Sequence, residues 1–399
     1  MIGRAACLVL AAALVPAPPP VQARQAAPAA QPLADPPPAA ADLKSAIDRL
    51  GTLDYRTRSA AARLVRRTPP AQAVPALLQV VEQHGDGYVR FRALVLLSSF
   101  NSPRIPEVMR QAAYDPNDRL REVAYLYFED HPDTGFAGPL LDALERETSE
   151  FVRPRLIRAL AALGDLPNVR QALLREVNRG QDFFRSAVIE ALGDHKAAYA
   201  ADALSKIAQL EGPLQDDAAL ALGKVGDKRY LPVLAGLQRT APREAQPAIA
   251  AGICLLGVNC EAHRGFLART LTFAEDTFGF QELLRSASAG LAALASTGDR
   301  DAAAALLDVG IPAQDPARAP LALATATMAV KNPVLLMETL EPRADRAAAL
   351  TLVAEGFDML EEDFAEERFF AAVRRRHWTA PEGSPARQLA ADIITRLEF

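Results

Sequence analysis

Residues 150–181 read EFVRPRLIRALAALGDLPNVRQALLREVNRGQ, and their pattern recurs every 32 residues between residues 54 and 192 without an insertion. An acidic residue opens each unit, and apolar residues stand seven, ten, nineteen and twenty-two positions after it. The five acids are Asp54, Asp86, Asp118, Glu150 and Asp182. Self-similarity at a fixed period of this length is typical of proteins built from stacked repeats.

Each unit is predicted to form two helices. The apolar offsets fall in pairs three positions apart, which places each pair on one face of a helix and does not suit a strand. In residues 150–181 we expect a first helix at 151–163 and a second at 166–179, separated by the turn residues Gly164 and Asp165. A carboxylate just before a helix accepts hydrogen bonds from the free N–H groups of the first turn. We therefore predict that all five opening acids are repeat caps.

Arginines follow these caps in most units. They are Arg56, Arg58, Arg90, Arg92, Arg119, Arg121, Arg153, Arg155 and Arg185. A cation in the first turn opposes the helix dipole, so its repetition needs another cause. One interpretation is an arginine-to-acid ladder between adjacent units that sets their stacking register. The other is an arginine stripe that faces an acidic ligand.

Three stretches resemble the HEAT repeat family, in particular the short HEAT-like form first named from phycobilisome lyases. The sequence has Phe151-Val152-Arg153 with Ala161–Asp165, Phe184-Arg185 with Ala191–Asp194, and Ala219–Asp227. The resemblance is good over residues 54–240 and degenerate afterwards. It implies an all-α fold, a right-handed α-solenoid of stacked two-helix units that binds proteins. It implies no particular activity, because such repeats occur across unrelated functions.

The resemblance and the composition together predict four segments. Residues 1–23 read as a signal peptide, with Arg4 before the apolar run Ala5–Val15 and a cleavage site after Ala23. Residues 24–40 are rich in Ala and Pro and are expected to be a disordered linker. Residues 41–240 should hold the regular units, preceded by a cap helix at 42–50. Residues 241–399 should hold degenerate units and C-terminal cap helices, the last at 384–397.

The N-terminal pattern predicts that the protein is exported, to a periplasm or outside the cell. The apolar run is too short to span a bilayer comfortably, so we expect cleavage and no integral membrane segment afterwards. The strong preference for Arg (38) over Lys (6) suits a GC-rich bacterial genome.

Cys254 and Cys260 are the only cysteines after the predicted signal peptide. In an oxidising compartment, two cysteines six positions apart on either side of a turn indicate a local disulfide. Adding His263 gives a Cys-x5-Cys-x2-His cluster, but a fourth ligand is not evident and the spacing fits no known zinc pattern. We therefore predict a disulfide and no metal.

Charge and motifs narrow the function. Residues 41–180 carry a balance of +2 and residues 181–399 a balance of −8, and only 6% of residues are aromatic, which argues against a nucleic-acid partner. No phosphate loop, nucleophile elbow or His-Glu-x-x-His stretch is present. The expected function is a non-enzymatic scaffold without a cofactor. The alternatives are a bilin lyase or chaperone-like enzyme, which the resemblance allows, and a structural envelope spacer.

The partner is expected to be a protein or peptide, bound on a concave surface lined by the second helices. The candidate residues on that surface are Arg110, Asp142, Arg170, Arg175 and Lys206. A run of acids between Glu355 and Glu367 precedes Trp378, the only tryptophan. This run is either the solvated outer face of an end cap or a docking patch with Trp378 as its aromatic anchor.

Overall fold

The helices follow the predicted alternation of first and second helices. The computed structural model describes residues 40–360 and 362–399, so the predicted signal peptide and nearly all of the linker lie outside the described residues. The described part contains 22 α-helices, three short 3₁₀ turns and no strand. The α-helices are α1 (Ala40–Arg49), α2 (Tyr55–Arg67), α3 (Pro70–Gln83), α4 (Gly87–Ser98), α5 (Ile105–Ala112), α6 (Asp118–Asp130), α7 (Ala137–Leu144), α8 (Arg153–Ala161), α9 (Pro167–Glu176), α10 (Asp182–Asp194), α11 (Ala201–Ala208), α12 (Gln215–Val225), α13 (Leu231–Thr240), α14 (Gln246–Leu255), α15 (Cys260–Asp276), α16 (Gln281–Ser296), α17 (Arg300–Gly310), α18 (Arg318–Lys331), α19 (Pro333–Leu340), α20 (Arg346–Leu360), α21 (Asp363–Thr379) and α22 (Pro385–Leu397). The 3₁₀ turns Thr134–Phe136, Ala198–Ala200 and Lys228–Tyr230 lead into second helices.

The stacking is that of an α-helical repeat solenoid. From α2 to α20 the even-numbered helices are the first helices, each packed on the next first helix along the chain. The odd-numbered helices from α3 to α19 are the second helices, and each packs against a first helix that adjoins it in the chain, in most units the one that follows it. Apolar offsets seven and ten, such as Ile157 and Leu160, are fully buried between these rows. The described residues form one compact unit.

Two of the five opening acids occupy N-cap positions. The carboxylate of Asp54 accepts a hydrogen bond from the N–H of Thr57, and that of Asp86 accepts one from Tyr88. The prediction is wrong for the other three. Asp118 and Asp182 are the first helical residues, and Asn117 takes the cap position before Asp118.

Glu150 lies three residues before α8, which begins at Arg153. Pro154 follows at the second position of that helix, where its fixed φ and missing N–H are tolerated. Glu150 therefore lies too far before the helix to cap it, and Val152 occupies the N-cap position.

No single helix in residues 40–360 and 362–399 is both long and apolar enough to cross a bilayer. Helices α18 and α19 meet those criteria only together, as a pair bent by 115°. Most of their apolar side chains, among them Leu321, Met328 and Leu336, are buried inside the unit.

Candidate functional site

The first helices line the inside of the bend of the array. The ammonium group of Lys331, at the end of α18, lies 3.0 Å from the carboxylate of Glu190 and 3.3 Å from that of Asp194, both on α10. Ser286 on α16 donates to Asp216 on α12 in the same way, across an intervening unit. Contacts that skip units in between require the array to curve toward its first helices. We call this surface the inner face.

The prediction that second helices line the concave surface is therefore wrong. The sequence pattern of one unit is the same whichever way the array bends. It therefore does not indicate whether the first or the second helices line the concave surface. The predicted polar residues lie on the second helices, away from the inner face: Arg110 on α5, Asp142 on α7, Arg170 and Arg175 on α9, and Lys206 on α11. Their role in binding a partner stays a prediction for an outer surface.

Several of these outer residues pair locally. The guanidinium of Arg110 lies 2.6 Å from Asp133, and that of Arg170 lies 3.5 Å from Asp165. Asp142 and Lys206 are exposed. This row therefore offers a mixed, solvated surface, on which single ion pairs contribute little to stability.

An ionic network occupies the middle of the inner face. Arg158 on α8 lies 2.7 Å from Glu129 on α6 and 3.0 Å from Asp194 on α10. Lys331 closes the network by bridging Asp194 and Glu190. These groups line a cavity of about 360 Å³ between α6, α8, α10, α18 and α21. The network joins units far apart along the chain.

Two more side chains extend the network. Lys224 lies 2.6 Å from Asp194, and the Nε2 atom of His195 lies 3.1 Å from Glu129. Burial alone would raise the pKa of Glu129, but the hydrogen bond with His195 and the charge of Arg158 outweigh it and lower the pKa to about 2. Likewise, burial opposes the charge on Lys331, but Glu190 and Asp194 raise its pKa. The carboxylates and the ammonium group are therefore ionised at neutral pH.

Helix α21 covers the inner face of the first units. Its residues Asp363, Phe364 and Glu367 face α2, α4 and the neighbouring first helices. The acidic run before Trp378 is thus neither a fully solvated face nor an open docking patch at these positions. Trp378 itself, on the last turn of α21, is 69% exposed.

Exposed apolar side chains concentrate where a second helix connects to the next first helix. Four of the eleven large apolar residues exposed in the described part of the chain lie in these connections, namely Tyr114, Phe151, Leu210 and Phe278, while Leu53 lies in the equivalent connection between α1 and α2 and Phe183 in the first turn of α10. Helices of alternating direction place all such connections on the same edge of the array. We call these six residues the loop edge.

A pocket of about 320 Å³ opens on the loop edge between two successive connections. Tyr114 and Arg146 lie at its rim, and the apolar side chains of Phe136 and Leu140 lie below. The ring of Tyr114 packs edge-on against Phe136 with centroids 6.1 Å apart. The pocket has the volume of a small side-chain site, and the charged side chains of Arg121 and Glu147 share its lining with the apolar ones.

Sequence comparison identifies the first units. Residues 43–128 match the family model described as HEAT repeats. This stretch is similar to HEAT repeats. The matched stretch spans nearly all of α1 to α6 and includes the N-caps Asp54 and Asp86. Glu129, the first residue of the ionic network, follows directly after it. A comparison with curated proteins gives no significant match.

Solved structures give weak fold-level similarity. The Escherichia coli protein YibA is 18% identical over 55% of this chain and 82% of its own, with a TM-score of 0.40. The complex of CpcE and CpcF of phycocyanin lyase from Nostoc sp. PCC7120 is 20% identical over 65% of this chain and 97% of its own, with a TM-score of 0.40. A Kap121p mutant is 12% identical over 90% of this chain and 45% of its own, with a TM-score of 0.41.

Several arginines near the start of first helices pair with acids in the same unit. Arg121 binds Glu147 at 2.8 Å, and Arg153 binds Glu176 at 2.7 Å, each acid standing at or just after the end of the unit's second helix. Both carboxylates are buried. The predicted ladder between adjacent units is therefore mainly a brace within each unit. Arg155 differs, because it binds Glu122 of the preceding unit and Glu362.

Cys254 and Cys260 are disulfide-bonded across the turn between α14 and α15. Asp299, rather than His263, is the third group with a ligand-type atom within 4.8 Å of both sulfur atoms. Asp299 also caps α17 through the N–H of Ala302 and pairs with Arg264 at 2.9 Å. In the disulfide form the two sulfur atoms offer no thiolate to a metal.

Neither the inner face nor the loop edge was predicted from the sequence. A usable signal existed for the first: polar residues such as Arg158 and Glu190 recur at offset eight of the first helices, and Asp130 and Asp194 at offset twelve. A helix packed on all sides by other helices would carry apolar residues there. For the second, Phe151 and Phe183 stand 32 residues apart, directly after the opening acids.

Proposed function

We propose that this chain is an exported, non-catalytic scaffold that binds a protein partner along the loop edge. The observation that carries the proposal is the row of exposed apolar residues at successive connections. Phe151 is 78% exposed, Phe183 61% and Phe278 93%. Exposed apolar groups arranged contiguously mark interaction surfaces, and aromatic anchors supply most of the energy at such surfaces.

The repeat gives this surface a regular spacing. Neighbouring first helices pack about 10 Å apart, so anchors on successive connections follow each other at about that interval. A partner segment lying along the edge would meet Tyr114, Phe151 and Phe183 in turn, with the pocket beside Tyr114 available for one of its side chains. A packed array holds these anchors in place before binding, which lowers the entropy lost on association.

The test is crosslinking and affinity capture of the tagged protein in its native host, with mass spectrometry of the captured proteins. We expect a dominant partner with the wild-type chain, and at least a tenfold lower recovery with the double variant Phe151→Ser/Phe183→Ser. Both side chains are exposed, so the variant should fold with an unchanged melting temperature.

Two controls locate the surface. Leu323→Ser alters an exposed apolar residue on α18, away from the loop edge, and should leave recovery unchanged. Arg175→Glu/Lys206→Glu alters the predicted outer surface. If only this charge reversal releases the partner, the loop edge is not the binding surface. If the chain is recovered alone in every case, the scaffold proposal fails.

Export rests on the sequence pattern of residues 1–23. N-terminal sequencing of the protein recovered from the cell envelope or the medium should begin at Arg24. A chain that keeps Met1 and stays in the cytoplasm would contradict the proposed location.

A further inference from the structure

The first turns of α21 carry alternating acidic and aromatic residues that are buried. Phe364 is 4% exposed, Glu367 1% and Phe369 fully buried. A helix that only capped the end of an array would keep its carboxylates in water. Here the carboxylates point into the array.

Their partners come from the first units, far away in the chain. The carboxylate of Glu367 accepts two hydrogen bonds from the Nε atom of Arg66, at 2.9 and 3.2 Å, and one from its NH2 group at 2.6 Å, across 301 residues. Arg92 donates to Asp363, and the guanidinium of Arg155 lies 3.2 Å from Glu362.

In one further ion pair the cation lies on α21 and the acid on a first helix. Arg368 on α21 lies 2.9 Å from Asp130 at the end of α6. The four array residues, Arg66, Arg92, Asp130 and Arg155, belong to α2, α4, α6 and α8, which are four consecutive first helices. One short helical segment thus touches four units at once.

Apolar contact accompanies the ion pairs. The ring of Phe364 belongs to the hydrophobic core of the first units, whose other members all lie between Leu43 and Leu256. The guanidinium of Arg66 also lies over the ring of Phe370, 5.2 Å from its centroid. A buried carboxylate such as Glu367 is tolerated only while its cationic partner is in place.

We propose that residues 362–379 are a latch: they occupy a receptor on the inner face that accepts acidic amphipathic helices, and a partner helix of that chemistry binds there when the latch opens. Opening leaves Arg66 and Arg92 without their carboxylates and uncovers the apolar seat of Phe364. The receptor therefore selects a helix with the order acid, Phe, x, x, Glu, as in Asp363–Glu367.

This inference is independent of the loop edge. Its test uses the purified chain and a labelled peptide of residues 362–379, and none of the loop-edge residues is altered. Failure of one proposal therefore leaves the other standing.

The latch is opened by changing α21 and leaving the receptor intact. In Phe364→Ser/Glu367→Lys we expect amide hydrogen exchange in residues 363–370 to rise at least tenfold. Fluorescence anisotropy should then show binding of the wild-type peptide at least tenfold tighter than to the wild-type chain, where the resident latch competes. Arg285→Glu, which alters an exposed arginine paired with exposed Glu282, is the matched control and should behave as wild type.

Charge exchange identifies the receptor. Because Glu367→Lys could pair with Arg66→Glu within the chain, the charge exchange uses Phe364→Ser/Glu367→Ala as the open variant. Adding Arg66→Glu to it should abolish binding of the wild-type peptide and restore binding of a peptide that carries Glu367→Lys. If the open variant folds, shows unchanged exchange and binds neither peptide, the latch proposal is overturned. If it does not fold, Glu367→Gln preserves the shape of the side chain, and unchanged exchange in residues 363–370 of that variant overturns the proposal equally.

Discussion

At the scale of single residues, Glu366 is the carboxylate with the least favourable surroundings on α21. Burial raises its pKa to about 7, the nearby charge of Asp363 adds to the rise, and Arg92 opposes it. Glu367, one position on, has a guanidinium as its direct partner and Glu366 does not. Two adjacent glutamates on one helix therefore have opposite electrostatic roles.

The raised pKa of Glu366 predicts a pH-dependent stability. Between its ordinary value of 4.5 and about 7, the folded chain holds a proton that the unfolded chain releases, so the stability from this group is complete below pH 4.5 and is lost as the pH rises through 7. Glu366→Gln should remove this loss, so that the variant gains about 3 kcal/mol of stability over wild type between pH 4.5 and pH 8. Urea unfolding at several pH values measures it.

Asp216 provides the internal comparison. Burial and the nearby Asp217 raise its pKa to about 6, so the Glu366→Gln variant should keep a smaller slope of the same sign. Parallel curves for wild type and variant between pH 4.5 and 8 would show that Glu366 is not protonated in the folded state.

At the scale of helices, contacts between neighbouring first helices depend on close backbone approach. A Cβ atom on Gly356 of α20 would lie 2.1 Å from the carbonyl oxygen of Ala322 on α18. Gly223 of α12 meets Gly252 of α14 in a similar way. These glycines set the distance between units, because backbone atoms on both sides leave no flexible side chain to move aside.

A pair of Gly→Ala variants tests this role. Gly356→Ala should destabilise the chain by about 1–3 kcal/mol, because the added methyl group forces α18 and α20 apart. Gly236→Ala, within α13, meets nothing within 4 Å and should stabilise the chain by about 0.5–1 kcal/mol through helix propensity. Thermal or urea unfolding of both variants gives the comparison, and equal effects would contradict it.

The sequence was informative about helices to different degrees. The 32-residue period placed the first and second helices correctly, because apolar spacing reports which face of each helix is buried. It placed the caps only at Asp54 and Asp86. A cap depends on backbone angles within one or two residues of the helix start, and the proline at position 154 and Asn117 shift that start without disturbing the period.

At the scale of the described unit, the decisive contacts are those that no period contains. Lys331 meets Asp194 across 137 residues, and Arg66 meets Glu367 across 301. A repeat pattern specifies how one unit stacks on the next, but small rotations at each step add up to the direction of the bend. The position of α21 was therefore not predictable from the repeat pattern, and the only local sign of the inner face is the set of polar residues at offsets eight and twelve of some first helices.

The distance in sequence between Arg66 and Glu367 has a consequence for the order of events during translation. The first units are made and can stack well before α21 exists, since each unit needs only its neighbours. At the usual rate of synthesis, Glu367 follows Arg66 after about 15 to 60 s. For that interval the nascent chain presents Arg66, Arg92 and the seat of Phe364 uncovered, so an acidic helix that meets the growing chain encounters no competitor.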